Sequence, residues 1–171
     1  MNAPLGTKDR PWRARISLLN GESSSTITAG EPVILSASDN GAKVVLPATA
    51  GVTKSTPLFA GIAVKTTTPG NAVEIVAGGY VAKAKFLVRT RAASTDSFSS
   101  VAAADMAIGN MLTIDTVNNA VAYSTIGAAA LACPAIVLME SIASIAGVAS
   151  GTANSLTYST TSVKVWVRAL M

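Results

Sequence analysis

Nine carboxylates and thirteen lysines and arginines carry the ionic chemistry of this chain, which has one cysteine and no histidine. Without imidazole there is no Ser-His-Asp triad, no Cys-His dyad and no His-ligated metal. The lone thiol, Cys133, cannot form an intrachain disulfide or a structural zinc site, and within its apolar run it reads as a small buried residue. No glycine-rich phosphate loop precedes a Lys-Ser/Thr pair. The carboxylates are spread thinly. Glu74, Asp105 and Glu140 are the candidates for acid-base work should two of them meet in space, as in a hydrolase or lyase on a β scaffold. Aromatic residues make up only 5% of the chain, so stacking platforms for a carbohydrate cleft are scarce. The sequence therefore assigns no catalytic residue, no metal ligand and no cofactor.

The cations have more pattern. Lys8, Arg10, Arg13 and Arg15 surround Trp12, and Lys83, Lys85, Arg89 and Arg91 form a second cluster. From Arg91 to Lys164 every intervening charge is negative: Asp96, Asp105, Asp115 and Glu140. Segments of opposite sign can steer copies of one chain together. Arg and Trp are enriched among residues that dominate interface energies. Trp12, Arg13, Arg15, Lys83, Lys85 and Arg89 are thus the expected contacts to a partner or another subunit. Trp166, between Lys164 and Arg168 in the last strand, completes the set. The plainer alternative for the N-terminus is a disordered basic tail. Nucleic acid is the other partner a basic chain suggests, but the clusters lack the interleaved aromatics of a single-strand binder.

Composition sets the context. Of 171 residues, 50% are hydrophobic and 13% charged, with net charge +4; a typical soluble domain is about 25% charged. Such a chain can bury a core of its own as a single domain, with roughly 70% of its unfolded surface removed from water. Too few charges to coat a monomer suggests that partners cover part of the surface, unless Ser, Thr and Asn do so. The longest apolar stretch, Ile126 to Ala149, is broken by Pro134 and Glu140. The uninterrupted run up to Met139 is shorter than the roughly 20 residues a membrane helix needs, and the stretch reads as core. No secretory signal is visible.

Local patterns supply the elements. Met1 to Arg15, with Pro4, Gly6 and Pro11, reads as an extended arm ahead of one β-rich domain over residues 16–171. Strands are expected at Val33-Ile34-Leu35, at Lys43 to Leu46 after the Asp39-Asn40-Gly41 turn, and at Leu58 to Val64, where Gly61 permits a bulge or close approach. Asn71 to Arg91 reads as a hairpin turning at Gly78-Gly79. Val73, Ile75, Ala77, Ala82, Ala84, Phe86 and Val88 would form its apolar face, and Lys83, Lys85, Leu87, Arg89 and Arg91 the other. Ala92 to Ala107 is an Ala/Ser-rich insertion, helix or loop. A hairpin around Asn118-Asn119, a strand over Pro134 to Met139 and a final strand with Val163, Val165 and Val167 inward follow. Gly30, Val33, Leu35, Asn40 and Ala42 echo Gly109, Leu112, Ile114, Asn119 and Val121. This marks either two related hairpins or turn chemistry repeated for local reasons. Many short antiparallel strands indicate an all-β sandwich or small barrel.

Ala29-Gly30-Glu31-Pro32-Val33, Phe59-Ala60-Gly61-Ile62-Ala63-Val64, Pro69-Gly70-Asn71-Ala72-Val73-Glu74-Ile75 and Gly78-Gly79-Tyr80-Val81 together resemble the capsid decoration, or cement, proteins of tailed phages. Gly109 to Asp115 resembles their second glycine-led strand. The resemblance covers about the first half of the chain and is patchy beyond. It implies a β-rich, non-enzymatic virion protein on the outer capsid surface. Its partners would be the major capsid protein and its own copies, commonly as a trimer. Ala92 to Ala107 and the tail after Gly147 depart from the compact family pattern.

Overall fold

The computed structural model describes residues 13–39, 41–48, 59–89, 108–115, 118–123, 132–140 and 158–168. The elements are β1 (Arg13–Asn20), β2 (Pro32–Leu35), β3 (Lys43–Val45), β4 (Phe59–Ala63), β5 (Ala72–Arg89), β6 (Met111–Asp115), β7 (Ala120–Tyr123), β8 (Ala132–Leu138) and β9 (Tyr158–Arg168), with one 3-10 turn at Ala37–Asp39. The all-β expectation holds, and the architecture is a barrel. In the first ring β1 pairs with β3, β3 with β2, β2 with β4, β4 with β5, and β5 back with β1. In the second, β5 pairs with β7, β7 with β6, β6 with β8, β8 with β9, and β9 back with β5. Two closed rings of five strands thus share β5. The pairs β1–β3 and β5–β7 are parallel, against the all-antiparallel expectation; the others are antiparallel.

The expected hairpin at Gly78-Gly79 is instead the middle of one 18-residue strand. Gly79 has the positive φ, +98°, that a turn would use. Both glycines, however, are paired on two sides, with Ala14 and Arg13 of β1 and with Arg168 and Val167 of β9. Partners from both ends of the chain hold the backbone in the ladder, so it does not reverse. The two apolar runs then serve two cores. Val73 and Ile75 fill the first ring with Ile27, Val33, Val44 and Ala63. Ala84 and Phe86 fill the second with Leu112, Val121, Ile136, Val163 and Val165. Side chains fill a small barrel completely, so neither interior is a channel.

One further expectation for β5 is corrected. Ala82 is exposed, because the pairing with β9 slips between Val81 and Ala84 and the alternation restarts after this bulge. Val76 is buried despite lying out of phase with Ile75, since the outer face of the first ring packs against the second core through Ile34, Phe59, Ile62 and Val76. Likewise Arg13–Arg15, expected in the arm, are the first residues of β1, registered opposite Gly79, Gly78 and Val76. The remainder of the arm and the insertion at residues 92–107 lie outside the described residues.

Gly61 confirms the close-approach reading. Its φ is +148°, and a Cβ there would lie 2.3 Å from the Val76 carbonyl oxygen. At this point β2 and β4 slip register, and the inward residues of β4 change phase, Ala60 and Ala63 facing the first core and Phe59 and Ile62 the second.

The sequence echo corresponds to a repeated structure. The Gly30 amide donates to Ala63 O at 2.8 Å, and Gly109 to Leu138 O at 2.9 Å. Ala63 donates to Glu31 O as Leu138 does to Asn110 O, and Val64 to Glu74 O as Met139 does to Lys164 O. The hairpins β2–β3 and β6–β7 therefore hold equivalent places in the two rings. Besides the packing of Ile34, Phe59, Ile62 and Val76 against the second core, three polar contacts among the described residues tie the rings together. The Lys85 amide donates to Gly30 O, the Glu31 carboxylate binds Lys85 Nζ at 2.7 Å, and the Ala48 amide donates to the Asn119 side chain. The first of these satisfies a backbone donor beside the bulge that β9 skips.

Candidate functional site

The described carboxylates are engaged in ion pairs and backbone contacts rather than gathered in a cluster. Among the described residues no three Cys, Asp or Glu side chains could hold a metal ion. Glu74 binds Arg15 and Lys65, Glu140 binds Lys164 at 3.0 Å, and Asp39 binds Lys43 at 3.0 Å. Glu31 accepts from both Lys85 and the Thr28 amide. Glu22 is buried and accepts from the Leu46 amide, fixing the end of β3. The Lys43 and Ser36 hydrogen bonds lower the Asp39 pKa below its usual 3.8, and the bond to Glu140 raises that of Lys164 above 10.5. Asp105 lies outside the described residues.

What the topology does assemble is an apolar row rimmed by arginines. In antiparallel ladders, directly opposed residues project from the same face of the sheet. Tyr80 of β5 opposes Trp166 of β9, Trp166 opposes Val137 of β8, and Val137 opposes Met111 of β6. On β9 the inward residues are Val163, Val165 and Val167, so Trp166 points outward, as expected from sequence, and carries the row onto the outside of the second ring. Trp166 is 37% exposed and Met111 56% exposed. Met139, two residues on from Val137, and Ile108, in the turn leading into β6, are also exposed.

Charge borders this row. The Arg13 guanidinium lies over the Tyr80 ring, 5.8 Å from its centroid. Such a cation–π contact is worth about 0.5–2 kcal/mol depending on desolvation. Arg13 Nε is buried with no hydrogen-bond partner among the described residues. Arg168 is exposed two residues beyond Trp166, on the same side of β9. Arg13, Lys83 and Arg168 have no ion-pair partner among the described residues, whereas each described carboxylate with appreciable exposure has one.

The expected contact residues divide accordingly. Arg13 and Trp166 come together through Tyr80. Arg15 is spent on Glu74, and Lys85 on Glu31. Lys83 is exposed on the bulge. Arg89 pairs through its backbone with Tyr158, its side chain lying outside the described residues, as does Trp12. The sequence reading missed Tyr80, Val137 and Met111 as neighbours of Trp166. The alternation Lys164, Trp166, Arg168 already put Arg168 on its side, but the register that adds the other three joins residues far apart in the chain. No protein-family model and no curated protein matches this chain.

Proposed function

We propose that this chain is a virion structural protein that binds the outer surface of a phage capsid and stabilises its lattice as a multivalent cement, working as a trimer. The resemblance of the Gly30, Gly61, Gly70 and Gly78-Gly79 segments to decoration proteins names the class. The observation that supports the binding role is the row of Trp166, Val137 and Met111, exposed at Trp166 and Met111 and bordered by arginines that have no ion-pair partner among the described residues. The function is mechanical rather than catalytic. Two rings locked through one strand suit a rigid clamp, and closed rings leave few free edges for unwanted pairing. Three linked feet bind about 10²- to 10⁴-fold more tightly than one. The test is cosedimentation of the purified full chain with heads assembled without it, followed by heating of the decorated heads. Saturable binding and a raised disruption temperature are expected; no binding at micromolar concentration rejects the proposal.

One observation favours a second reading, single-stranded nucleic acid. Tyr80 and Trp166 are adjacent and lie between Arg13 and Arg168, supplying both rings and charges. That reading requires retention on an oligonucleotide that falls steeply as salt rises.

A further inference from the structure

We propose that the outer face of β5–β9–β8–β6 is the surface by which the protein docks, and that its partner is a protein surface with an apolar centre edged by carboxylates. The inference deepens the cement reading and rests on it for the identity of the partner, the capsid. Four neighbouring strands carry Tyr80, Trp166, Val137 and Met111 in one line. At about 4.8 Å between strands, that line is roughly 14 Å across, the scale of the apolar centre of a standard interface. Aromatic and Met residues are the types enriched at such centres.

Charge selects the occupant. Arg13 and Arg168 at the border have no carboxylate partner among the described residues, and neither does Lys83 on the bulge of β5. Glu31, Asp39, Glu74 and Glu140 are each held by a lysine or arginine of the same chain. A second copy therefore offers this face no uncommitted acid among its described residues, and an acidic partner of another kind complements it better. A polyanion would meet the arginines and the two rings. It would gain nothing from Val137 and Met111, which neither stack nor pair with phosphate, so the row's far half argues for protein.

The experiment uses full-length protein and phage heads assembled without it. The variants are Met111→Glu, Trp166→Ala, Arg168→Glu and, as a charge-matched control away from the row, Lys65→Glu. Thermal unfolding first establishes that each variant folds, and light scattering measures its mass against the wild type. The wild type is expected to sediment with heads less well as salt rises. The three face variants should bind at least about tenfold more weakly, with Lys65→Glu within about twofold. Folded face variants that bind like the wild type would overturn the docking face and leave the cement reading intact. Failure of the wild type to sediment would reject both. A drop to monomer mass in the face variants would assign the face to a second copy. Loss of retention on an oligothymidine column, with head binding kept, would assign it to nucleic acid. Either outcome also overturns the inference.

Discussion

At the scale of single residues, the positions that hold the two rings are set by backbone proximity and local charge. A methyl group at Gly61 would meet the Val76 carbonyl at 2.3 Å from a φ of +148°. Overpacking and backbone strain together should make Gly61→Ala about 2–5 kcal/mol less stable, a fall in melting temperature of about 5–15 °C. An unchanged melting curve would show that β4 and β5 do not meet as described. Two ion pairs should respond unequally. Glu31 is 7% exposed at its side chain and grips Lys85 at 2.7 Å, whereas Lys65 is 75% exposed and 3.8 Å from Glu74. Glu31→Gln should cost about 1–2 kcal/mol in chemical denaturation, and Lys65→Ala less than about 0.5 kcal/mol. Asp39 adds a pH signature. Its folded pKa lies below 3.8 because Lys43 and Ser36 stabilise the carboxylate. Its contribution is therefore complete above the unfolded value and fades as pH falls through the folded one. Wild type should lose part of its advantage over Asp39→Asn when melting is compared at about pH 6 and about pH 2.5; a constant difference would contradict the pairing.

At the scale of elements, what the sequence disclosed depended on how far apart the partners lie. The β6–β7 hairpin was legible because Asn119, at φ +47°, makes its turn within a few residues of both strands. The inward face of β9 was legible from Val163, Val165 and Val167 alone. The course of β5 was not. Its glycines carry turn chemistry, and only pairing with residues 13–14 and 167–168 keeps them in the ladder. The apolar row was hidden for the same reason, since Tyr80, Val137 and Trp166 become neighbours only through register. The basic face of the imagined hairpin was half right. Lys83 is exposed, but Lys85 belongs to Glu31, a residue on the loop that the Gly30 contact brings over β5. That loop makes its own prediction. A Cβ on Gly30 would lie 2.6 Å from Lys83 O. Gly30→Ala should thus open the junction and speed hydrogen exchange of the Lys85 amide, while the β6–β7 amides keep their protection. Uniform exchange across both rings would count against the junction.

At the scale of the whole molecule, sharing one strand makes the two rings a single body. The first ring has exposed charges that are largely matched apart from Arg13, and it exposes Ile16 and Leu19; the second presents the row of Trp166, Val137 and Met111 with Arg168. The N-terminal boundary matters here. Because Arg13–Arg15 are part of β1, the truncation that tests the arm removes residues 1–12 and leaves the first ring complete. Under the cement reading, that variant should keep the wild-type melting temperature and lose head affinity by at least about tenfold. Equal affinity would leave the contact to the second ring alone. The measurement that bears most directly on the account is an electron cryo-microscopy map of heads saturated with the full chain. The account predicts density on the outside of the shell, with Trp166 and Met111 turned toward an apolar patch of the capsid protein and Arg168 toward acidic residues at its edge. A map in which that face is turned to solvent, or in which no density is added, would contradict it.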